Sequence, residues 1–168
     1  PDGDSLSCGD VAHECILTFP QHGGLFGSTQ NDIKLYGGNY GYIGSDSFTY
    51  NACDGLGLCT PTTVNVNVVD QAPNGIADSY SVHGSTTVGP FLINDSDPDG
   101  DGVTIGDVAH EGIATFPHHG TLTGINQPDE KTYTPTAGYT GADSFTYNVC
   151  DGLGLCTETI VNINVINS

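Results

Sequence analysis

Apolar and polar residues alternate with a period of two along much of the chain. In SFTYNV, residues 144–149, the side chains of Phe145, Tyr147 and Val149 fall on one face and the polar residues on the other. VNINV, residues 161–165, repeats the same alternation. Successive side chains of a β-strand point to opposite faces, so the pattern predicts strands with one buried and one exposed face.

Five further segments are rich in β-branched and aromatic residues and are bounded by Gly, Pro, Asn and Asp. They are DSYSV, TTVGPFLI, VTIGDV, IATFP and KTYTP. Such segments are typical of short strands joined by tight turns. Helical periodicity is nearly absent. We therefore predict an all-β protein made of antiparallel β-sandwiches of about seven strands.

The chain contains a tandem repeat. A shift of 97 positions aligns residues 1–71 with residues 98–168 without a gap, and 44 of the 71 pairs are identical. Repetition at this level predicts two copies of one structural unit. We expect a first repeat at residues 1–71 that lacks its first strands and a complete repeat at residues 72–168.

The first repeat has no counterpart of residues 72–97, which carry the first two predicted strands of the second. Two sheet edges without these strands would expose unpaired backbone groups. We therefore expect either an upstream segment of similar sequence or strands donated by another molecule to complete it. We favour the upstream segment, because an identical chain has no spare pair of strands at its C-terminus.

The charge of the chain narrows the classes of partner. Two basic residues stand against twenty acidic ones, and the formal net charge is -18. Binding to nucleic acid requires clustered Lys and Arg, and an anionic membrane surface also attracts basic segments. No apolar run is long enough to cross a bilayer. We therefore predict no nucleic-acid partner and no membrane insertion.

Six cysteines form three candidate pairs. Cys53 and Cys59 recur as Cys150 and Cys156 within the same CDGLGLCT, whereas Cys8 and Cys15 are replaced together in the second repeat. Pairs that occur or disappear together indicate disulfides, here Cys8–Cys15, Cys53–Cys59 and Cys150–Cys156. A zinc site is the alternative, but five residues between sulfurs exceed the usual zinc spacing. Disulfides predict an oxidising compartment.

The run NDSDPDGDG places Asp95, Asp97, Asp99 and Asp101 around one tight bend. Carboxylates this close repel one another unless a cation lies among them, and Ca²⁺ accepts six to eight oxygen ligands. The run is not an EF-hand, because Gly106 stands where that motif has a bidentate Glu and no helices flank it. The alternative is a solvated acidic turn without metal.

These segments resemble a known family. APNGIADSYSV, LINDSDPDGDGVTI, YTPTAGYTGADSFTYNVCDG and TIVNINVIN are similar to the cadherin-like or bacterial Ig-like tandem repeats of large surface adhesins and extracellular fibres. The resemblance covers the whole second repeat and all of the first. It implies tandem Ig-like or cadherin-like sandwiches, located at a cell surface or in a secreted fibre.

The resemblance also implies a calcium site at the junction between repeats. It assigns the linker residues Asp70 and Asn74, the acidic pair Asp95 and Asp97, and the later Asp151 to one site. In the first repeat the equivalent ligands are Asp54, Asp2 and Asp4. The resulting hypothesis is a non-enzymatic, calcium-stiffened module of an adhesin stalk or filament, whose partners are neighbouring repeats or identical subunits in a head-to-tail array.

Three other features carry alternatives. Tyr40 is present in the first repeat alone, beside Tyr36 and Tyr42, and indicates a glycan-binding or surface-binding module. Lys34 and Lys131 occupy equivalent positions and could form isopeptide bonds, although an exposed lysine is more frequent. The repeated histidines could take part in metal binding or catalysis, but such residues more often satisfy backbone groups at strand ends.

Overall fold

The computed structural model describes residues 7–8, 15–27, 33–106, 112–124 and 129–167, and for residues 7–8 it describes the backbone alone. The chain divides into two compact units, Pro1–Val69 and Asp70–Ser168. Strands account for most of the described residues, and none of these residues lies in an α-helix. The predicted all-β class is confirmed.

The described residues of the second unit form eight strands and one short 3-10 helix. The strands are β7 (Asp78–Val82), β8 (Thr86–Val88), β9 (Thr104–Ile105), β10 (Ile113–Thr115), β11 (Gly120–Gly124), β12 (Lys131–Pro135), β13 (Gly141–Cys150) and β14 (Cys156–Val165); the 3-10 helix is Phe91–Asn94. One sheet has the order β10-β13-β14-β7, with β9 also pairing with β13, and the other has the order β11-β12-β8.

One strand pair of the second unit departs from the antiparallel prediction. β7 pairs with β14 in parallel register, from Val161 opposite Asp78 to Val165 opposite Val82. After β7 the chain crosses to the other sheet, where β8 pairs antiparallel with β12. One segment therefore closes an edge of each sheet.

The hydrophobic core of the second unit lies between these sheets. The alternating residues of β13 and β14, among them Phe145, Tyr147 and Val161, are buried as predicted. The segment that closes the edges adds Val82 and Phe91 to the same core, together with Val88. Burial of apolar area at about 25 cal/mol per Å² makes this core the main source of stability for the unit.

The first unit has six described strands. They are β1 (Ser7–Cys8), β2 (Ile16–Thr18), β3 (Gly23–Gly27), β4 (Lys34–Gly38), β5 (Gly44–Cys53) and β6 (Cys59–Val68). β1, β2 and β6 all pair with β5, and β3 pairs with β4. Its described buried hydrophobic residues are Cys15 and Cys53, so this unit has far less core than the second.

One strand prediction needs correction. The segment TTVGPFLI does not form one strand, because β8 ends at Val88 and the chain turns through Gly89, whose φ is 121°, into the 3-10 helix. Pro90 also lacks the N–H that would continue the ladder. GTLTG, residues 120–124, forms β11, which five backbone pairs with β12 hold in an extended conformation.

Two predicted disulfides are confirmed. Cys53 is bonded to Cys59 and Cys150 to Cys156, and each bond joins residues that face each other at the ends of paired strands. Cys15 is also disulfide-bonded. The side chain of Cys8 lies outside the described residues, so the pairing of Cys8 with Cys15 stays a prediction.

Candidate metal centre

The loop after the 3-10 helix holds Asp97 in a fixed orientation. One carboxylate oxygen of Asp97 accepts hydrogen bonds from the backbone N–H groups of Asp99 (2.8 Å) and Asp101 (3.2 Å). Gly100, with φ of 85°, allows the tight turn between them. The other oxygen, Oδ2, is buried and has no hydrogen-bond partner. The turn thus leaves one anionic oxygen unsatisfied.

Asp151 has the same arrangement in the turn between β13 and β14. Its Oδ1 accepts hydrogen bonds from the N–H groups of Leu153, Gly154 and Leu155, at 2.6 to 2.9 Å. Its Oδ2 is buried without a partner, and the whole residue is 5 % exposed. A buried carboxylate oxygen without a partner carries a large desolvation cost. No hydrogen bond from the protein offsets this cost.

Asp70, the first residue of the second unit, supplies a third such oxygen. Its Oδ1 is buried and has no partner. The adjacent Gln71 donates its backbone N–H and its side-chain Nε2 to the two carboxylate oxygens of Asp99, at 2.7 and 2.9 Å. These two bonds hold the segment that begins the unit against the Asp97–Asp101 loop.

The carboxylates of this region affect one another's ionisation. Burial raises the pKa of Asp70, and the charges of Asp151, Asp101, Asp99 and Asp97 raise it further. Burial also raises the pKa of Asp101, and the negative charges of Asp97, Asp151 and Asp99 raise it further. Asp101 is itself buried. We call these five residues, Asp70, Asp97, Asp99, Asp101 and Asp151, the aspartate cluster.

The donor set of the aspartate cluster fits a hard divalent cation. All five side chains are carboxylates, and three of them present a buried oxygen that no hydrogen-bond donor satisfies. Within the described residues, no three His, Cys, Asp or Glu side chains already lie in a coordinating arrangement. A bound ion would therefore have to draw these carboxylates closer together. Carboxylate oxygens in a loosely defined geometry are the ligands that Ca²⁺ accepts.

Asp95 and Asn74 lie outside this cluster. Asp95 accepts hydrogen bonds from the N–H of Ile76 (2.7 Å) and the hydroxyl of Tyr147 (2.7 Å), so both of its carboxylate oxygens are satisfied by protein donors. Asn74 forms a backbone bridge with Ser96. The structure thus gives Asp95 a role in anchoring the 3-10 region to the core.

The predicted ligands of the first unit are described only in part. Asp2 and Asp4 lie outside the described residues. Asp54 accepts hydrogen bonds from the N–H groups of Leu56 (2.9 Å) and Leu58 (2.8 Å) through one oxygen, as Asp151 does in the second unit. Asp54 is therefore a natural comparison for Asp151 in experiments.

Two equivalent aspartates, Asp46 in the first unit and Asp143 in the second, were not identified from the sequence as parts of a hydrogen-bond network. Asp143 accepts hydrogen bonds from the hydroxyl of Tyr133 and from the N–H groups of His118, His119 and Ser144. Asp46 has the same four types of donor in the first unit. The signal that could have revealed them is the identical spacing of Tyr and Asp in both repeats, Tyr36 with Asp46 and Tyr133 with Asp143.

The histidines nearest this network have a packing role. The ring of His22 stacks on Tyr42 with centroids 4.0 Å apart, and the ring of His119 stacks on Tyr139 at 4.1 Å. Their placement at strand ends agrees with the structural interpretation. The other repeated histidines, His13 and His110, lie outside the described residues.

The tyrosines and lysines that carry alternative interpretations differ in exposure. Tyr36 donates its hydroxyl to Asp46 and Tyr42 is stacked, whereas Tyr40 is 77 % exposed. Lys131 is buried, because it points to the same face of β12 as the core residue Tyr133. The expectation of an exposed lysine is therefore wrong at this position. Lys34 is half-buried.

Among the described residues no helix is long and apolar enough to cross a membrane.

Sphingomyelinases of Mycobacterium bovis and Mycobacterium tuberculosis are each 32 % identical to the chain over 88 residues, which is 52 % of the chain. The chain spans 18 % of the length of these curated relatives.

Two solved structures match the chain at low identity and with low TM-scores. An endo-fucoidan hydrolase of glycoside hydrolase family 107 is 22 % identical with a TM-score of 0.41, over 99 % of this chain and 24 % of that one. A human mucin-like protocadherin fragment, EC1-2, is 17 % identical with a TM-score of 0.39, over 100 % of this chain and 86 % of that one. A family model described as bacterial Ig domain matches residues 1–67 and 70–164. The chain belongs to the bacterial Ig domain family.

Proposed function

We propose that the chain is a structural module of an extracellular repeat array and that Ca²⁺ bound at the aspartate cluster stiffens it. The observation that carries the proposal is the set of three buried carboxylate oxygens without partners, on Asp70, Asp97 and Asp151. Such oxygens are rarely left unsatisfied in a folded protein. A divalent cation would satisfy all three and neutralise their mutual repulsion.

The proposed ion connects three separate parts of the second unit. Asp70 begins the unit, Asp97 and Asp101 lie in the loop after the 3-10 helix, and Asp151 lies in the turn between β13 and β14. When bound, Ca²⁺ would supply electrostatic attraction among these segments. The chain's own hydrogen bonds to Asp97 and Asp151 orient one oxygen of each residue and leave the other available as a ligand.

Stiffening follows from the position of Asp70. This residue is preceded directly by Val69, the last residue of the first unit. An ion that holds Asp70 to the body of the second unit removes rotational freedom from the connecting segment. Without the ion, repulsion among the carboxylates favours release of that segment. We expect the same effect at each such connection in a longer array of repeats.

The proposed role is non-enzymatic and extracellular. The disulfides Cys53–Cys59 and Cys150–Cys156 are typical of proteins in oxidising compartments. The described polar clusters are used in hydrogen bonds to turns and strand ends, and none combines a nucleophile with an oriented base. The similarity to sphingomyelinases covers a small share of those proteins, so we attribute no hydrolytic reaction to this chain.

Calcium titration of the metal-free chain tests the proposal. Isothermal titration should show binding of Ca²⁺ in preference to Mg²⁺, because a loose set of carboxylates suits the larger ion. At calcium concentrations about 100 times the Kd, the second unit should gain roughly 10 °C in Tm. Small-angle scattering should show a longer particle with Ca²⁺ than with chelator. Unchanged Tm and length would exclude the proposed function.

A second candidate function is recognition of a glycan or another surface by the first unit. Phe26 and Leu35 face each other on β3 and β4 and are 57 % and 68 % exposed. The equivalent pair in the second unit is Thr123 and Thr132. The two neighbouring apolar side chains could form part of an interaction surface that the second unit lacks.

A glycan array tests this second candidate with an internal control. The wild-type chain should retain glycans that are lost when Phe26→Thr and Leu35→Thr give the first unit the residues of the second. The double substitution changes only exposed side chains, so the fold should be preserved. An array on which both chains behave alike would exclude glycan recognition by this pair.

A further inference from the structure

The turn that joins β13 to β14 is closed by a disulfide and carries a residue of the aspartate cluster. Cys150 ends β13 and Cys156 begins β14, the two residues face each other in the strand pair, and their sulfurs are bonded. Asp151 is the first residue inside this ring. The three N–H groups that hold its Oδ1, those of residues 153–155, belong to the same ring. The disulfide therefore encloses both the carboxylate and the donors that orient it.

The sequence of this turn gives it little rigidity of its own. Gly152 and Gly154 alternate with two leucines, and Gly154 has a φ of 106°, a conformation that favours glycine. The N–H of Asp151 donates to the carbonyl of Leu155 at 3.0 Å and closes the turn through the backbone. Glycine loses more conformational freedom on ordering than any other residue. A covalent ring removes much of this freedom before any ion binds.

Asp151 is held in its position against two unfavourable effects. Its Oδ2 is buried without a hydrogen-bond partner, which carries a desolvation cost. Burial raises the pKa of Asp70 and of Asp101, and the negative charge of Asp151 raises both further, because these carboxylates repel one another. In the metal-free chain both effects favour movement of Asp151 into solvent. The closed ring resists this movement, since it ties the turn to both strands at its base.

The two halves of the disulfide differ in their surroundings. Cys150 is buried and pairs with Thr104 of β9, whose hydroxyl donates to the Cys150 carbonyl at 3.3 Å. The sulfur of Cys150 also occupies the space beside Gly106, where a side chain would not fit. Cys156 is exposed. A reductant in solution therefore has access to the bond from the side of Cys156, and Cys150 is the leaving group.

We infer that the Cys150–Cys156 disulfide is a redox control of the calcium site: the closed ring holds Asp151 as a ligand, and reduction of the ring by a dithiol weakens Ca²⁺ binding. The inference rests on the proposed function, because it concerns the same ion. One thiolate of the dithiol attacks Sγ of Cys156 and displaces the Cys150 thiolate. The second thiolate attacks the reagent's own sulfur in the mixed disulfide and releases Cys156. The reagent leaves as a cyclic disulfide, and the protein gains two electrons and two protons.

Ion binding and reduction are coupled in both directions. If the oxidised ring favours the ion, bound Ca²⁺ favours the oxidised ring by the same factor. Loss of a group that orients a metal ligand lowers metal affinity by about 10-fold to 100-fold. A tenfold difference in affinity corresponds to about 30 mV in the reduction potential of a disulfide. Saturating Ca²⁺ should therefore make the reduction potential of Cys150–Cys156 more negative by at least about 30 mV.

The first unit supplies the matched control. Cys53 and Cys59 close a ring of identical sequence, in which one oxygen of Asp54 accepts hydrogen bonds from the N–H groups of Leu56 and Leu58. Asp54 is not among the described residues with a buried oxygen that lacks a partner. A general stapling effect of such a disulfide would therefore appear in both rings. An effect on the aspartate cluster should appear only when the ring of the second unit is opened.

The first experiment opens each ring by substitution in the full 168-residue chain. Cys150→Ser with Cys156→Ser should weaken Ca²⁺ binding at the aspartate cluster by at least about tenfold. Cys53→Ser with Cys59→Ser should leave this affinity unchanged. Calcium titration followed by hydrogen exchange in residues 97–101 measures the affinity at a part of the cluster that lies outside both rings. Equal affinities in the two double variants would overturn the inference.

The second experiment uses the wild-type chain and remains decisive if the Cys150→Ser, Cys156→Ser variant does not fold. The chain is equilibrated with mixtures of reduced and oxidised dithiothreitol, in saturating Ca²⁺ and in chelator, and free thiols are alkylated and quantified by peptide mass spectrometry. The potential of Cys150–Cys156 should shift with Ca²⁺, and that of Cys53–Cys59 should not. No shift, or the same shift at both disulfides, would overturn the inference. Loss of exchange protection throughout β13 and β14 on reduction would also overturn it, because the disulfide would then support the whole fold.

These results separate the inference from the proposed function. If the oxidised wild-type chain binds Ca²⁺ and opening the ring of the second unit leaves its affinity unchanged, the redox control is excluded and the proposed function stands. If the oxidised chain does not bind Ca²⁺, both are excluded.

Discussion

Phe91 and Tyr147 make both an aromatic and a hydrogen-bonded contact. Their ring centroids are 5.3 Å apart, and the Tyr147 hydroxyl donates to the carbonyl oxygen of Phe91 at 3.2 Å. The same hydroxyl also donates to Asp95 at 2.7 Å. One tyrosine therefore contacts both ends of the 3-10 helix. These contacts anchor the segment that closes the sandwich edges to the core of the second unit.

Phe91→Ala should lower the free energy of unfolding of the second unit by about 3 to 5 kcal/mol, because it leaves a cavity in a fully buried site. Urea unfolding followed by hydrogen exchange at β13 and β14 measures this loss. Phe116→Ala is the control, since Phe116 is more than half exposed and its loss should cost far less. Equal effects of both substitutions would contradict the assigned core.

Asp151→Asn should weaken Ca²⁺ binding by about tenfold or more, since it replaces a proposed ligand oxygen by an amide nitrogen. The same substitution should raise the Tm in chelator, because it removes one repelling charge from the aspartate cluster. Asp54→Asn is the matched control in the first unit and should leave the Ca²⁺ affinity of the aspartate cluster and the Tm of the second unit unchanged. Calorimetric titration and thermal unfolding give both numbers, and a fall in Tm in chelator would argue against repulsion within the cluster.

Asp78 predicts a dependence of stability on pH. Burial raises its pKa to about 6, and the charge of Asp95 contributes in the same direction. The folded state therefore holds the proton more tightly than the unfolded state, so this contribution to stability is full below about pH 4 and is lost as the pH rises through about 6. The total change should be on the order of 2 kcal/mol.

Comparison of the wild type with Asp78→Asn isolates this effect. Both proteins are unfolded with urea in chelator between pH 4 and 7, so that the aspartate cluster contributes equally to each. The difference in unfolding free energy should change across this range in favour of the variant at high pH. A difference that is independent of pH would contradict the raised pKa.

Asp143→Ala should destabilise the second unit by about 3 kcal/mol, because buried donors including Tyr133 lose their acceptor. Asp46→Ala removes the same network from the first unit and should leave the second unit unaffected.

Although burial opposes ionisation, hydrogen bonds lower the pKa of Asp46 to about 2 and lower that of Asp143 as well. The stability that these carboxylates provide is present above about pH 4 and is lost as the pH falls further. Urea unfolding from pH 5 to pH 2 measures it.

Period-two alternation was sufficient to predict the long strands β13 and β14, because each has one face in the core and one in solvent. Comparison of the two repeats was sufficient to predict the disulfides Cys53–Cys59 and Cys150–Cys156. The parallel pairing of β7 with β14 could not be predicted in this way, since alternation shows which face is buried but not which strand lies beside it.

Within the candidate site, the sequence identified residues by their type and spacing. It placed Asp95 with Asp97, two positions apart, but Asp95 caps the end of the 3-10 helix and Asp97 lies in the turn that follows, so their carboxylates accept hydrogen bonds from different partners. The buried pair Asp46 and Asp143 was missed because a lone Asp within a strand resembles a solvent-exposed residue. Only the fold shows that turns from distant segments supply its hydrogen bonds.

The parallel pairing of β7 with β14 has a mechanical consequence. The first and last strands of the second unit run side by side in the same direction, from Asp78 opposite Val161 to Val82 opposite Val165. A pulling force applied through the two ends of the unit acts along these strands in opposite directions. It therefore loads their hydrogen bonds in shear, all at once, and does not peel them open one by one. In this geometry the hydrogen bonds between β7 and β14 resist tension applied along the chain.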